Sequence, residues 1–258
     1  MSSSWMAPVQ GTQMIDRTVL LLRLVATFRP QGARLTDLAQ EADLPAPTVR
    51  RILKRLVQHG LIAQAGTGNR YSLGPFAQEL GLAPNVTHGV VERFRGLVER
   101  LAHETGAVTY LLSRSNLDSL CIDRFDPDGA EARPTLTVGD RLPLGVGVGG
   151  MVLLATLPDD EAETVIAANQ SIYRRFVRTT GASFRDHLES ARREGHVIRR
   201  SPVTPGVVGF GMAIPSPDGQ LRLAIAGAVT AAEFTPQRRV ETVARMRDLV
   251  RAHLRGMS

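Results

Sequence analysis

The sequence predicts an α+β fold built from two domains. The chain has 258 residues, which is long for one ordinary domain, and 43% of them are hydrophobic, which is enough to build real cores. Apolar residues at helical spacing dominate residues 14–59, whereas strand-like and helical runs are mixed after residue 105. We therefore expect a helix-rich N-terminal domain and a C-terminal α/β domain with an antiparallel sheet.

The first two elements are predicted helices. Residues 14–28 are rich in Leu and Val, and Pro30 and Gly32 end this helix because neither residue continues it well. Thr36 is a good N-cap, since its hydroxyl can accept a hydrogen bond from the first turn of a helix. We expect the second helix to be short, over residues 37–42.

A third helix and a strand pair complete this domain. The helix is expected over residues 47–59, with Pro47 at its first position, where the missing N–H costs nothing, and Gly60 as the C-terminal cap. Two short strands at 61–64 and 71–73 flank a glycine-rich tip. This order of elements predicts a winged helix-turn-helix.

The rest of the chain mixes strands and helices. We expect a short helix over residues 75–82, an amphipathic helix over 90–105, and a last helix from Pro236 to Leu254 with Thr235 as its cap. The other predicted strands are 107–113, 118–125, 133–138, 207–214 and 221–229, and the other predicted helices follow the glycine-rich passage 145–150 and cover 159–169 and 183–194. A hairpin turn at 216–219 joins the last two strands.

The third helix has two chemically different faces. Its apolar face consists of Val49, Ile52, Leu53, Leu56 and Val57. The opposite face carries Pro47, Arg51, Lys54 and Gln58, with Thr48, Arg50 and Arg55 beside it. A helix fits the major groove of B-DNA, and the planar guanidinium of arginine can bond guanine or bridge phosphates. We therefore expect this face to bind double-stranded DNA; the alternative is a cationic face that is only solvated.

The charge distribution agrees with a polyanionic partner for the N-terminal third. Residues 1–75 hold nine basic and four acidic side chains, a net charge of +5, whereas the remaining residues carry +1. Within the helix, we expect Thr48, Arg50 and Arg51 to read bases and Arg55 to meet phosphate. The full set of candidate DNA contacts is Thr36, Pro47, Thr48, Arg50, Arg51, Lys54, Arg55 and, at the wing, Asn69 and Arg70.

Several classes of protein are disfavoured. Cys121 is the only cysteine, so no intrachain disulfide can form, and this fits a reducing cytoplasm. The N-terminus lacks a signal-peptide pattern, and no run is apolar enough for a membrane span. The six histidines show no metal-binding spacing, and no GxSxG or P-loop motif occurs. We expect no cofactor, and an enzyme is a remote alternative.

These residues match a known family. The stretch LTDLAQEADLPAPTVRRILKRLVQHGLIAQAGTGNRYSLG resembles the DNA-binding domain of IclR-type transcription regulators, and RLPLGVGVGGMVLLATL and REGHVIRRSPVTPGVVGFGMAIPSPDGQLRLAIAGAV resemble later parts of the same family. The resemblance implies a DNA-binding domain over 1–74, a linker helix over 75–89, and a GAF-like effector and oligomerisation domain over 90–258. It also implies a homodimer or homotetramer on a palindromic operator and a small organic effector. Members of the family act as repressors or as activators, and we expect a repressor here.

The departures from the family fall in the implied effector site. Gly145 and Gly150-Met151 replace a His and a Gly-Lys pair, Phe210 replaces a Cys, Ala226 and Ala228 replace two Ser, and an acidic pair is replaced near Arg200 and Ser201. The candidate effector residues are Val146, Gly147, Val148, Gly149, Gly150, Met151, Phe210, Ala226 and Ala228. We expect an effector less polar than a short 2-oxo acid, because two hydroxyls are missing.

Two alternatives stay open for this site. A helix N-terminus behind the glycine run could receive a carboxylate or carbonyl, or the glycines could only form a tight turn that lets the helix pack on the sheet. The side chain of Phe210 could also fill the cavity, in which case the C-terminal domain binds no ligand and serves oligomerisation only.

Overall fold

The computed structural model describes residues 11–257, apart from 29–31, 66–69, 83–85, 131–135, 177–180 and 216–221. The chain divides into two compact units, Met1–Val86 and Thr87–Ser258. Each unit has its own buried core, and the second unit has two core clusters. The mixed α+β class with an antiparallel sheet in the second unit is therefore confirmed.

Among the described residues, the first unit contains four helices and a small three-stranded sheet. Its elements are α1 (Gln13–Thr27), β1 (Ala33–Arg34), α2 (Leu35–Ala42), α3 (Ala46–Gln58), β2 (Ile62–Ala65), β3 (Arg70–Leu73) and α4 (Pro75–Leu82). The strands pair antiparallel in the order β1-β3-β2. The prediction of two strands missed β1, because a two-residue strand is too short to show an alternating pattern.

Two predicted helix starts are wrong by one or two residues. Thr36 is not an N-cap: α2 already begins at Leu35, Arg34 is its N-cap with no side-chain cap bond, and the Thr36 hydroxyl instead donates to the Asp37 carboxylate at 3.3 Å. The pairing of β1 with β3 brings an extended Arg34 backbone to the helix start, which is why the helix begins early. Pro47 is the second residue of α3 rather than the first.

The end of α3 follows the prediction. Gly60 has a φ of +69°, in the left-handed region that favours glycine. The amide of Gly60 donates to the carbonyl of Val57 at 3.0 Å, and the amide of Leu61 donates to the carbonyl of Leu56 at 3.0 Å. This is a Schellman motif, so two otherwise unpaired carbonyls of the last turn are satisfied and the chain turns directly into β2.

The second unit contains one six-stranded antiparallel sheet. Its elements are α5 (Val86–Thr105), β4 (Val108–Ser115), β5 (Asp118–Phe125), β6 (Arg141–Pro143), α6 (Gly147–Ala155), α7 (Asp159–Phe176), α8 (Gly181–Glu194), β7 (His196–Arg200), β8 (Val207–Ile214), β9 (Leu223–Thr230) and α9 (Pro236–Arg255). The strand order is β6-β5-β4-β9-β8-β7. The predicted cap is confirmed, since Thr235 accepts a hydrogen bond from the Arg238 amide at 3.2 Å.

Both faces of this sheet are buried. Alternate residues of β9 belong to different cores: Ala224, Ala226 and Ala228 pack with α6, α7 and α8, whereas Ile225 and Val229 pack with α5 and α9. Small residues on the first of these faces let α6 lie close to the strands, and this close approach is what positions the candidate ligand site.

Of the predictions for this unit, one strand is wrong, two strands were missed, and one turn cannot be compared. The strand predicted at 133–138 is wrong for residues 136–138, the part that the structure describes, because residues 136–140 form a loop and turn. The strands β6 and β7 were not predicted. The hairpin turn predicted at 216–219 lies outside the described residues.

Candidate functional site

The face of α3 that points away from the core is cationic. Val49 and Leu53 are fully buried against the first unit's core, which fixes the rotation of the helix. Arg50, Arg51 and Lys54 are exposed on the other side. A hydrophobic stripe and a cationic stripe on one 13-residue helix are what insertion of a helix into a DNA groove requires.

These three cations are available to an external partner. Within the described ranges, no carboxylate lies within 4.0 Å of Arg50, Arg51 or Lys54. Arg55 is also exposed, and its Nη1 donates to Oε1 of Gln58 at 2.8 Å. The remaining helix candidates are placed at its start, where Pro47 is exposed and Thr48 is half-buried.

The wing residues are only partly described. Asn69 lies outside the described residues. Arg70 begins β3, is half-buried, and donates from Nη1 to the Gly32 carbonyl at 2.9 Å. At least one of its donors therefore joins β3 to the segment before β1, and DNA contact by Arg70 stays a prediction. Thr36 is exposed on α2, and its contact with DNA also stays a prediction.

A second candidate site is a cavity between α6 and the sheet of the second unit. It is lined by Tyr110, Leu112, Ser119, Leu136, Leu142, Val146, Gly147, Val148, Gly149, Gly150, Ser201, Pro202, Val203, Val207, Gly209, Ala226, Gly227 and Ala228. The volume open to the centre of a water molecule is about 50 Å³. One water needs roughly 10–15 Å³ by this measure, so the cavity suits a few waters or a compact organic molecule.

The start of α6 supplies polar groups to this apolar cavity. The N-cap residue, Val146, has no side chain that can cap the first turn. The amides of Gly147, Val148 and Gly149 cannot find acceptors inside the helix, because the first turn of any helix lacks them. All three residues line the cavity, so the partial positive end of the helix dipole faces a ligand-sized space.

The segment 142–147, which leads from β6 into α6, is held through its carbonyl oxygens. The Ser119 hydroxyl donates to Leu142 O at 3.1 Å, and the Tyr173 hydroxyl donates to Leu144 O at 2.6 Å. The Arg199 Nη2 donates to Gly145 O at 2.9 Å and to Gly147 O at 3.1 Å. Side chains from β5, α7 and β7 therefore fix this segment, which pre-organises the first turn of α6.

The prediction of Phe210 and Met151 as cavity residues is wrong. Phe210 is fully buried on the other face of the sheet, where it stacks on Phe234 with ring centroids 5.9 Å apart. Because side chains alternate along a strand, Gly209 faces the cavity and Phe210 cannot. The alternative that Phe210 fills the cavity is therefore wrong as well. Met151 is fully buried in the core on the α6 side and does not line the cavity.

The other seven effector candidates are brought together. Val146, Gly147, Val148, Gly149, Gly150, Ala226 and Ala228 all line the cavity. Sequence reasoning missed Gly209. Because side chains alternate along a strand, assigning Phe210 to the core on one side of the sheet would have placed Gly209 on the cavity side. It also missed Arg199, because the β7 segment carried no recognised strand pattern.

The part of the chain that the structure describes lacks two kinds of feature, a membrane-spanning helix and a metal-binding cluster. No helix there combines the length and apolarity needed to cross a membrane. Among the same residues, no cluster of three or more His, Cys, Asp or Glu side chains is placed to hold a metal ion.

Comparison with known families identifies both units. The IclR helix-turn-helix domain matches residues 14–66, and the bacterial transcriptional regulator IclR C-terminal domain matches residues 85–253. The chain belongs to the IclR family of bacterial transcriptional regulators. This assignment confirms the resemblance read from the sequence, and it confirms a regulator of transcription rather than an enzyme.

Individual relatives agree with the family assignment. The HTH-type transcriptional regulator Rv1719 of Mycobacterium tuberculosis is 27% identical over 87% of this chain and 85% of its own length. The transcriptional repressor IclR of Escherichia coli is 24% identical over 74% of this chain and 70% of its own. The crystal structure of an IclR homolog from Microbacterium hydrocarbonoxydans, complexed with 4-hydroxybenzoate, has a TM-score of 0.67 at 21% identity and covers 94% of this chain and 99% of that one.

Proposed function

We propose that this IclR-family protein is a repressor that binds a palindromic operator as a dimer or tetramer and releases it in response to a small organic effector. The exposed, unpaired cations of α3 are the observation that carries the DNA-binding half of this proposal. The name of the Escherichia coli relative, a transcriptional repressor, supports the sign of regulation. The protein acts in the cytoplasm, where bacterial DNA lies.

The residues at the start of α3 would read the operator. In helix-turn-helix proteins, the N-terminal turn of the recognition helix reaches base edges, so Thr48, Arg50 and Arg51 would contact bases. Lys54 and Arg55 lie further along the exposed side and would meet phosphates. Thr36, Pro47, Asn69 and Arg70 complete the proposed contact set.

A second copy of the chain would cover apolar surface in the N-terminal unit. On α1, Met14 and Ile15 are 49% and 63% exposed, and Val19 and Leu20 are also exposed. Phe76 and Leu80 are exposed on α4. Two-fold pairing through such surface places two recognition helices on one face of DNA, which is what a palindromic site requires.

The cavity beside α6 would hold the effector. Its walls are mostly aliphatic, and none of the described residues that line it is charged. An apolar body would fit these walls, while a polar group would meet the uncapped amides of Gly147, Val148 and Gly149. The 4-hydroxybenzoate in the Microbacterium homolog supports a compact aromatic acid over a short 2-oxo acid.

The proposed mechanism is a population shift. Half-site separation on DNA is fixed by the helical repeat, so a change in the spacing of paired N-terminal domains changes operator affinity. The proposed division is a DNA-binding domain over 1–74, a linker helix over 75–89 and an effector domain over 90–258. An effector in the cavity would act through that linker.

Fluorescence anisotropy with DNA from the gene's own upstream region tests this function. Binding should be specific and should weaken steeply with salt, because cations on α3 displace condensed counterions. The effector half is tested with an acid panel of glyoxylate, pyruvate, benzoate, 4-hydroxybenzoate and phenylacetate, measured by calorimetry and by release of operator. We expect an aromatic acid to bind more tightly than the first two. If no member of the panel changes operator affinity at saturation, the alternative holds, in which the C-terminal domain binds no effector and serves oligomerisation only.

A further inference from the structure

A half-buried arginine lies behind the wall of the effector cavity. Arg199 is in β7, directly opposite Gly209 of β8, and Gly209 is part of the cavity wall. The Nη2 of Arg199 is 3.1 Å from the carbonyl oxygen of Gly147, another wall residue. The guanidinium therefore lies between the edge of the sheet and the first turn of α6.

This guanidinium carries a charge without a counter-charge. No carboxylate among the described residues lies within 4.0 Å of Arg199. Its Nε is buried and has no hydrogen-bond partner there. Burial lowers the pKa of Arg199 to about 10, so the side chain still carries its charge at neutral pH. A charge that is partly removed from water and has no counter-charge is costly, and an anion in the adjoining cavity offsets part of that cost.

The neighbouring groups point to the same kind of ligand. Of the two carbonyls that Arg199 binds, Gly145 O lies in the loop before α6 and Gly147 O in the first residue of α6, so the guanidinium also fixes the helix start. The cavity walls hold no charged side chain among the described residues, and the serine hydroxyl oxygen of Ser201 accepts from the amides of Val203 and Thr204. The positive charge of Arg199 and the α6 amides are thus the strongest local electrostatic features.

We propose that Arg199 is the charge-selecting residue of this effector site. The effector carries one anionic group, which accepts hydrogen bonds from the first turn of α6, while its apolar body fills the cavity. Arg199 does not itself line the cavity, and it acts through the positive charge that it holds against the Gly147 carbonyl of the cavity wall. The inference rests on the proposed use of the cavity as the effector site. It adds that an acid and its neutral amide are told apart mainly by one side chain of β7.

The test uses the full-length protein and matched ligand pairs. Calorimetry compares benzoate with benzamide, 4-hydroxybenzoate with 4-hydroxybenzamide, and phenylacetate with phenylacetamide. Hydrogen bonds to charged groups are worth about 1.5–3 kcal/mol, so the wild-type protein should prefer the acid by about tenfold or more. In Arg199→Gln this preference should fall to about twofold or less, whereas Arg199→Lys, which keeps a point charge, should retain part of it.

A matched control removes the positive charge of the adjacent residue on β7. Arg200 follows Arg199 on the same strand, is exposed, and points to the other face, so Arg200→Gln should leave the acid-to-amide ratio unchanged. The ratio is the informative readout, because a merely structural loss would weaken acid and amide alike. The proposal would be overturned by an unchanged ratio in Arg199→Gln. It would also be overturned if the wild-type protein bound the amides as tightly as the acids, or bound none of the three acids. Failure of the proposed function would be seen in a different measurement, because the wild-type protein would then show no salt-dependent binding to the operator.

Discussion

The ring of Phe184 lies directly over Gly145: a Cβ atom built on Gly145 would stand 2.6 Å from Cζ of Phe184. Gly145 also has a φ of +90°, which a residue with a side chain adopts only with strain. The loop that enters α6 is therefore defined both by backbone conformation and by an aromatic side chain of α8. This makes the loop a rigid support for the cavity.

Gly145→Ala should destabilise the C-terminal unit. The variant combines backbone strain of about 1–2 kcal/mol with an overlap that forces Phe184 to move, which adds about 1–3 kcal/mol. Gly195→Ala is the control, because Gly195 has a φ of +71° but nothing within 4 Å of a Cβ. Chemical denaturation should show the larger loss for Gly145→Ala; equal losses would mean that the Phe184 contact is unimportant.

Phe210→Leu should lower stability and leave ligand preference unchanged. Phe210 packs on Phe234 in the core between the sheet and α9, so a smaller side chain leaves unfilled space there at a cost of the order of 1 kcal/mol. Ala226→Ser provides the contrast, because Ala226 lines the cavity and a hydroxyl there should favour the more polar acids of the panel. A changed acid ranking in Phe210→Leu would show that the assigned face is wrong.

Gly209→Ala should weaken effector binding with little effect on operator affinity in the absence of ligand. The added methyl would lie 3.1 Å from both γ-carbons of Val148 and would occupy part of a small cavity. Gly211→Ala adds a methyl on the same face of β8, where the nearest atoms are at 3.3 to 3.4 Å, outside the set of lining residues. Calorimetry with the acid panel should show at least a tenfold loss, about 1.4 kcal/mol, only for Gly209→Ala. Equal binding by both variants would argue against ligand entry here.

Cys121 should behave as a structural thiol. Burial, followed by the charges of Asp140 and Asp123, raises the pKa of Cys121 from 9.0 to about 12. The native protein should therefore resist iodoacetamide at pH 8, and unfolded protein should react. A pKa raised on folding means that the stabilising effect of the neutral thiol is present below about pH 9 and is lost as the pH rises towards 12. Cys121→Ala should show a shallower loss of stability over that range; rapid alkylation of native protein would contradict the burial.

Local signals in the sequence predicted most of the N-terminal unit. The stripe from Val49 to Leu56 on α3 and the Gly60 cap depend on residues a few positions apart, and the structure has both. The wrong start of α2 has a different cause. Arg34 is drawn into the sheet by pairing with Arg70, and a contact across that distance leaves no local trace.

The candidate cavity could be predicted only in part for the same reason. Its glycine-rich half, Val146 to Gly150, is contiguous in sequence and was found. The other half depends on which face of β8 meets α6. The prediction was wrong by one residue on this strand, so it assigned Phe210 to the cavity instead of Gly209. Arg199 was missed because its role depends on carbonyls more than fifty positions away, at Gly145 and Gly147.

The central claim, that the exposed side of α3 reads DNA, is tested most directly by comparing Arg51→Ala with Arg239→Ala on the operator and on random DNA of equal length. Both arginines are exposed, and Arg239 lies on α9 of the other unit, so both variants lose the same charge. We predict that Arg51→Ala loses about 1–3 kcal/mol of operator affinity, with a smaller loss on random DNA, and that Arg239→Ala loses little on either. Operator affinity that falls equally in both variants, or in neither, would contradict the assignment of α3 as the recognition helix.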